Sequence, residues 1–110
     1  MNWITLRSID QLEAIRNNPE QTYIIFKHST RCPVSGMAKR NIEYTSTPVP
    51  DDITLYFLDL IAFREISNAI AEWWGIKHES PQLLLIKGDQ CIYHASHSDI
   101  DMEVLLQQLA

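Results

Sequence analysis

Apolar residues along this chain change their spacing from segment to segment, and each spacing predicts an element. Trp3 to Arg7 alternates as a short strand. Ser8 and Gln11 then have the three-residue separation of an N-terminal capping box, and Ile9, Leu12 and Ile15 follow at helical spacing. Asn17 to Pro19 ends that helix. Thr22 to Phe26 is a nearly unbroken β-branched and aromatic run, the pattern of a strand buried on both faces. A helix opens at Pro33, whose missing N–H costs nothing in the first turn, and runs through Met37, Ala38 and Ile42 to about Tyr44. After a loop over Thr45 to Asp52, Ile53 to Leu60 reads as a strand. Phe63, Ile66, Ile70 and Trp73 mark a third helix, with Gly75 as its C-cap. Leu83 to Ile86 and Cys91 to His94 are two strands joined by the Lys87–Gln90 turn. Ser98 is the predicted cap of a last helix with Met102, Leu105, Leu106 and Leu109 on one face. The order is β-α-β-α-β-α-β-β-α. Alternation in the first part implies parallel strands and the terminal hairpin makes the sheet mixed, so the expected class is α/β with a central mixed sheet flanked by helices.

Length and composition narrow the reading. The 110 residues suit one domain spanning 1–110. Hydrophobic residues at 45% and charged residues at 21% fit a soluble protein. A net charge of -5 argues against nonspecific binding to nucleic acid or an acidic membrane. The first ten residues lack a basic region followed by an apolar run, so a cytoplasmic location is expected. Four histidines are scattered without paired metal-ligand spacing, so no metal is expected.

The chemistry concentrates in one stretch, His28-Ser-Thr-Arg-Cys32-Pro-Val-Ser-Gly36. Cys32 falls between a predicted strand and a predicted helix, where free N–H groups and the helix dipole favour a thiolate. Ser35 can donate a hydrogen bond to that sulfur. Lys27, Arg31, Lys39 and Arg40 are four of the nine Lys and Arg residues, and no Asp or Glu occurs from Gln21 to Ile42. That patch would steer acidic small thiols or acidic protein disulfides to the sulfur. A second cysteine in place of Ser35 would resolve a mixed disulfide internally. With serine there, the mixed disulfide waits for an outside thiol. Cys91, on the predicted last strand, is read as a buried small hydrophobe. The alternative, a resolving thiol for Cys32, is disfavoured by an edge strand away from the motif.

The element order and the motif resemble the thioredoxin superfamily over most of the chain. Lys27 to Arg40, "KHSTRCPVSGMAKR", resembles more narrowly the bacillithiol-system redox proteins of the YtxJ family, the monothiol bacilliredoxins. The resemblance implies a thioredoxin-like fold with Cys32 as nucleophile, assisted by Ser35. It implies release of bacillithiol, or another small thiol acting as co-substrate, from S-thiolated cytosolic proteins, with no bound cofactor. "ESPQLLLI" resembles the superfamily's cis-proline segment. Pro81 would then face Cys32, and the Ser80 backbone would hydrogen-bond the peptide or thiol. Arg31, Pro33 and Lys39 complete the expected thiol-binding set. Two departures stand out: the central strand lacks the buried carboxylate of dithiol thioredoxins, and Arg31 replaces an aromatic residue before the cysteine. Two other classes stay open. One is an arsenate-reductase-like enzyme, suggested by His28 four residues before Cys32, although Arg64 is the only arginine after Arg40. The other is a non-catalytic adaptor binding extended peptides at Pro81. A cluster-binding glutaredoxin is disfavoured because Pro33 and Val34 replace its Gly-Phe pair. His78 is read as a solvated loop residue flanking the site, and of Trp73 and Trp74 one should be core and one partly exposed.

Overall fold

The computed structural model describes residues 1–29 and 31–109. Thr30, part of the quoted motif, lies outside them. The elements run β1 (Trp3–Thr5), α1 (Ile9–Arg16), β2 (Thr22–His28), α2 (Pro33–Glu43), β3 (Thr54–Asp59), α3 (Arg64–Trp74), β4 (Gln82–Lys87), β5 (Gln90–Ser96) and α4 (Met102–Gln107), with a 3₁₀ turn at His97–Asp99. This is the predicted order. The five strands form one mixed sheet in the spatial order β1-β3-β2-β4-β5. β3 lies parallel to both β1 and β2, and β4 runs antiparallel to β2 and β5.

β2 is central and its side chains alternate between two apolar layers. Ile24 and Phe26 join Ala38 and Ile42 of α2 and Met102, Leu105 and Leu106 of α4 on one face. Tyr23 and Ile25 join Leu12 and Ile15 of α1 and Ile66, Ile70 and Trp74 of α3 on the other. Burial on both faces is why Thr22–Phe26 reads as a continuous apolar run rather than an alternating one.

Local chemistry fixes the helix ends. Ser8 and Gln11 form the capping box, with the Gln11 N–H donating to Ser8 Oγ at 3.2 Å and the Ser8 N–H to Gln11 Oε1 at 3.1 Å. Gly75 closes α3 at φ 67°, a backbone shape glycine takes without a side-chain penalty. The expectation for α4 needs correction. Ser98 lies in the 3₁₀ turn, and the cap is Asp101, whose carboxylate accepts from the Glu103 N–H at 3.0 Å. Asp101 is next to the first helical residue, so its short acceptor meets the free amides that Ser98 cannot reach.

Glu103 ties α4 to the loop after α2. Its carboxylate accepts from the Ser46 and Thr47 N–H groups at 2.7 and 3.0 Å, and from the hydroxyls of Thr45, Ser46 and Thr47. Those donors hold its pKa down at about 2.

A bulge interrupts the β4–β5 hairpin. Leu85 pairs with Tyr93 but Ile86 pairs with Cys91, so Ile92 is skipped. Cys91 and Tyr93 would share a face in a regular strand. Here Cys91 packs with the α3 layer and Tyr93 with the α2 layer. Among the described residues, no helix is long and apolar enough to cross a membrane.

Candidate active site

β2 delivers the chain to the site and α2 receives it. Cys32 is the N-cap of α2, in extended backbone (φ -104°, ψ 120°), with Pro33 at the first helical position. Its N–H donates to the Ser29 carbonyl at 3.2 Å, and its carbonyl accepts from the Gly36 N–H at 3.3 Å. Both backbone groups are therefore engaged, leaving the side chain to face the first turn. The sulfur is partly exposed. It closes no full capping hydrogen bond. The Ser35 and Val34 N–H groups still lie close enough to hold the thiol below its ordinary pKa. Slight desolvation opposes them, and the Ser35 hydroxyl adds a smaller pull. The backbone rather than the serine side chain is thus the main thiolate stabiliser, as expected at a helix N-terminus.

Ser35 is fully buried. Its Oγ accepts from the Ser29 N–H at 3.3 Å, so the hydroxyl also fixes the loop that precedes the cysteine. Replacing it separates these duties. Ser35→Ala should raise the Cys32 pKa modestly and move the rate profile to higher pH. Activity near neutral pH should fall by a few-fold rather than by orders of magnitude, because the residue-35 amide remains. A thiolate titration by ultraviolet absorbance, read beside the pH–rate profile, checks this.

The basic patch is smaller than the sequence suggests. Arg31 and Arg40 are exposed, and Lys39 is partly exposed. Lys39 pairs with Glu43 at 3.8 Å and lies 5.9 Å from the Phe57 ring centroid. Lys27 does not belong to the patch. β2 extends two residues past its expected end, and alternation turns Lys27 into the α3 layer, fully buried. Its neighbour His28 turns the other way, against the rings of Phe57 and Phe26 at 5.1 and 5.5 Å. Burial and the Lys39 charge push the His28 pKa down, opposed by Asp59 and the Ser35 backbone. His28 Nδ1 is buried with no hydrogen-bond partner among the described residues.

Ser80 and Pro81 enter from β4. The Ser80–Pro81 peptide is cis. Pro81 lies one residue beyond the Lys27–Gln82 pair, at the end of β2 that leads to the motif. Its carbonyl accepts from the His97 N–H at 2.9 Å, and Ser80 Oγ is buried without a partner among the described residues. Pro33 and Val34 are exposed beside Cys32. Phe26, in the central strand that leads to the motif, is completely buried.

Cys91 is chemically different from Cys32. Burial raises its pKa to about 11. Its thiol contacts the Tyr93 carbonyl at 3.3 Å, and it sits in the layer opposite α2. His78 is not a solvated loop residue: Nδ1 lies 3.1 Å from Ser67 Oγ and 3.4 Å from Lys27 Nζ. Of the two tryptophans, Trp74 is buried and donates to the Gly88 carbonyl at 3.0 Å, while Trp73 lies partly exposed under Arg16, 4.1 Å from its ring. The cleft lined by Glu43, Pro48, Val49 and Ile53 lies at the C-terminal end of α2, away from Cys32.

A helix-capping cysteine, a mixed sheet and a proline segment at the start of β4 define a redox protein of the thioredoxin fold. A solved structure described as a candidate oxidoreductase with a thioredoxin fold matches with a TM-score of 0.80 at 30% identity, over 98% of this chain and 94% of its own. Thioredoxins of Trypanosoma brucei brucei (TM-score 0.76, 14% identity, 98% and 88% covered) and Malassezia sympodialis (0.73, 19%, 97% and 86%) share the fold. The chain belongs to the monothiol bacilliredoxin BrxC family, whose pattern matches residues 4–105.

Proposed function

We propose that this protein removes bacillithiol from mixed disulfides on cytosolic proteins, using Cys32 as its single redox thiol. The observation that carries this reading is the placement of Cys32. Its partly exposed sulfur stands at the N-cap position of α2 near the Ser35 and Val34 amides, with a buried serine where a resolving thiol would stand.

The Cys32 thiolate attacks the bacillithiol sulfur of the substrate's mixed disulfide. A Cys32–bacillithiol disulfide forms, the old S–S bond breaks, and the substrate's sulfur leaves as a thiolate that takes a proton from water. A second bacillithiol thiolate attacks the bacillithiol sulfur held on Cys32. Bacillithiol disulfide leaves and the Cys32 thiolate is restored. Ser35 cannot intercept the intermediate, and Cys91 is protonated and in the other layer. Arg31 and Lys39 supply positive charge for an anionic thiol. Ser80 and Pro81 offer backbone to the bound disulfide.

Intact-mass spectrometry tests this. Reaction with the disulfides of bacillithiol, glutathione and coenzyme A should leave a single adduct on Cys32, formed fastest with bacillithiol and released by free bacillithiol. An internal Cys32–Cys91 bond, or no adduct, would overturn the mechanism. Preference for glutathione or coenzyme A would keep the monothiol chemistry and replace the co-substrate.

A further inference from the structure

Lys27 is a buried ammonium whose hydrogen-bond partners include no carboxylate among the described residues. Its Nζ donates to the Ser67 carbonyl of α3 at 3.2 Å and lies 3.4 Å from His78 Nδ1. Ser67 Oγ reaches the same nitrogen at 3.1 Å. Burying an ammonium is costly unless hydrogen bonds compensate, so these contacts are not incidental surface pairings. They continue into the backbone. Lys27 pairs with Gln82 across the sheet, and Gln82 Nε2 donates to the Lys77 carbonyl at 3.0 Å. Two consecutive residues, Lys77 and His78, are thus held from below, and Glu79, Ser80 and Pro81 follow directly. The strand that ends in Lys27 and His28 leads on to Cys32.

We propose that Lys27 and His78 are positioning residues, a hydrogen-bonded tether that sets the Lys77–Pro81 segment for the incoming mixed disulfide and is undone when His78 is protonated. The inference rests on the proposed function for the role of Ser80 and Pro81, and on the contacts among Lys27, Ser67 and His78 for the tether itself. His78 Nδ1 accepts only while it carries no proton. Three charges face it: Lys27 from β2, Arg64 from α3 and Glu79 from its own segment. Burial, Lys27 and Arg64 push its pKa down, and Glu79 opposes them. Near neutral pH the ring is therefore unprotonated and the tether is closed. As pH falls through the His78 pKa, the acceptor becomes a second cation beside Lys27, and attraction turns to repulsion. Lys27 is itself pushed down to about 8 by burial, and above that pH it still donates as a neutral amine.

The test is an NMR titration of the whole protein, read at the His78 ring and at the Gln82 side-chain amide that holds the Lys77 carbonyl, with steady-state kinetics alongside. In the wild type the Gln82 signal should move with the same midpoint as His78, below the ordinary histidine value. Lys27→Met should raise the His78 midpoint, because a facing cation is gone. It should also raise KM for the bacillithiol mixed disulfide about tenfold, as expected for losing one hydrogen bond to a charged group, with kcat and the Cys32 thiolate titration little changed. In His78→Gln, whose amide oxygen accepts without titrating, the Gln82 signal should show no acid-side transition. A Gln82 signal indifferent to the His78 titration overturns the tether, and that readout needs no variant to fold. A Lys27→Met KM equal to wild type overturns the positioning role. Failure of Cys32 to take up bacillithiol sinks the proposed function instead, and leaves the NMR result to decide the tether by itself.

Discussion

Cys32→Ser is expected to abolish release of bacillithiol from a thiolated protein while leaving the fold as stable as before, or more so. The catalytic half follows from the proposed mechanism, in which Cys32 is the single redox thiol. Cys91 has its pKa raised to about 11 and faces the other layer, so it carries almost no thiolate near neutral pH and cannot substitute. The stability half follows from position. Residue 32 is an N-cap, and serine is among the best residues there because its hydroxyl accepts from the first free amides. Cysteine at this site makes no such capping bond. The same amides that would be satisfied by serine are left to the thiolate. Activity by release of labelled bacillithiol and melting temperature by calorimetry, measured on one preparation, check both halves. Residual turnover above a few per cent, or a clear drop in melting temperature, would contradict the assigned role of residue 32.

Phe26→Ala should be the most destabilising single change near the site. Phe26 is fully buried in the central strand. Its ring lies 5.5 Å from His28, 6.1 Å from Trp3 and 6.2 Å from Phe57. Truncation removes the ring's transfer free energy and leaves a cavity between β2 and α2 that backbone on both sides cannot fill, at a cost of about 3–5 kcal/mol. At roughly 4 °C per kcal/mol for a domain of this size, the melting temperature should fall by about 15 °C. Phe26→Leu keeps most of the volume and should cost less than about 1.5 kcal/mol. Urea titrations of the two variants check the ranking. Near-equal losses would mean that the layer repacks around residue 26.

The same strand shows what could be read in advance and what could not. The run Thr22–Phe26 was legible because apolar β-branched and aromatic residues leave little choice but a buried strand. The helix at Pro33 and the caps at Ser8 and Gly75 were legible because each rests on a local backbone requirement. Cys32 and Ser35 stood out for the same reason, since strand, cysteine, proline and helix are contiguous in the chain. Lys27 and His28 are not legible as buried strand residues, because a lysine and a histidine after an apolar run look like the end of a strand. Their burial is decided by β3, β4 and the two covering layers, all distant in sequence. Continuing the two-residue alternation past Phe26 was the available signal, and it turns Lys27 away from the cysteine. Ser98 failed as a cap for a similar reason. Serine and aspartate both cap helices, and only the 3₁₀ turn from His97 to Asp99 decides between Ser98 and Asp101.

The extra residue Ile92 has a consequence for thiol traffic. In a regular hairpin Cys91 would point to the same side as Tyr93, which is the side occupied by α4 and by α2, the helix that Cys32 begins. By slipping the pairing one place, the bulge transfers Cys91 to the opposite side of a five-stranded sheet. The two sulfurs are then separated by a wall of hydrogen-bonded backbone as well as by their opposite pKa shifts. A single-thiol enzyme with a spare cysteine risks trapping itself as an internal disulfide. Under the proposed mechanism, partition built from one inserted residue guards against that dead end.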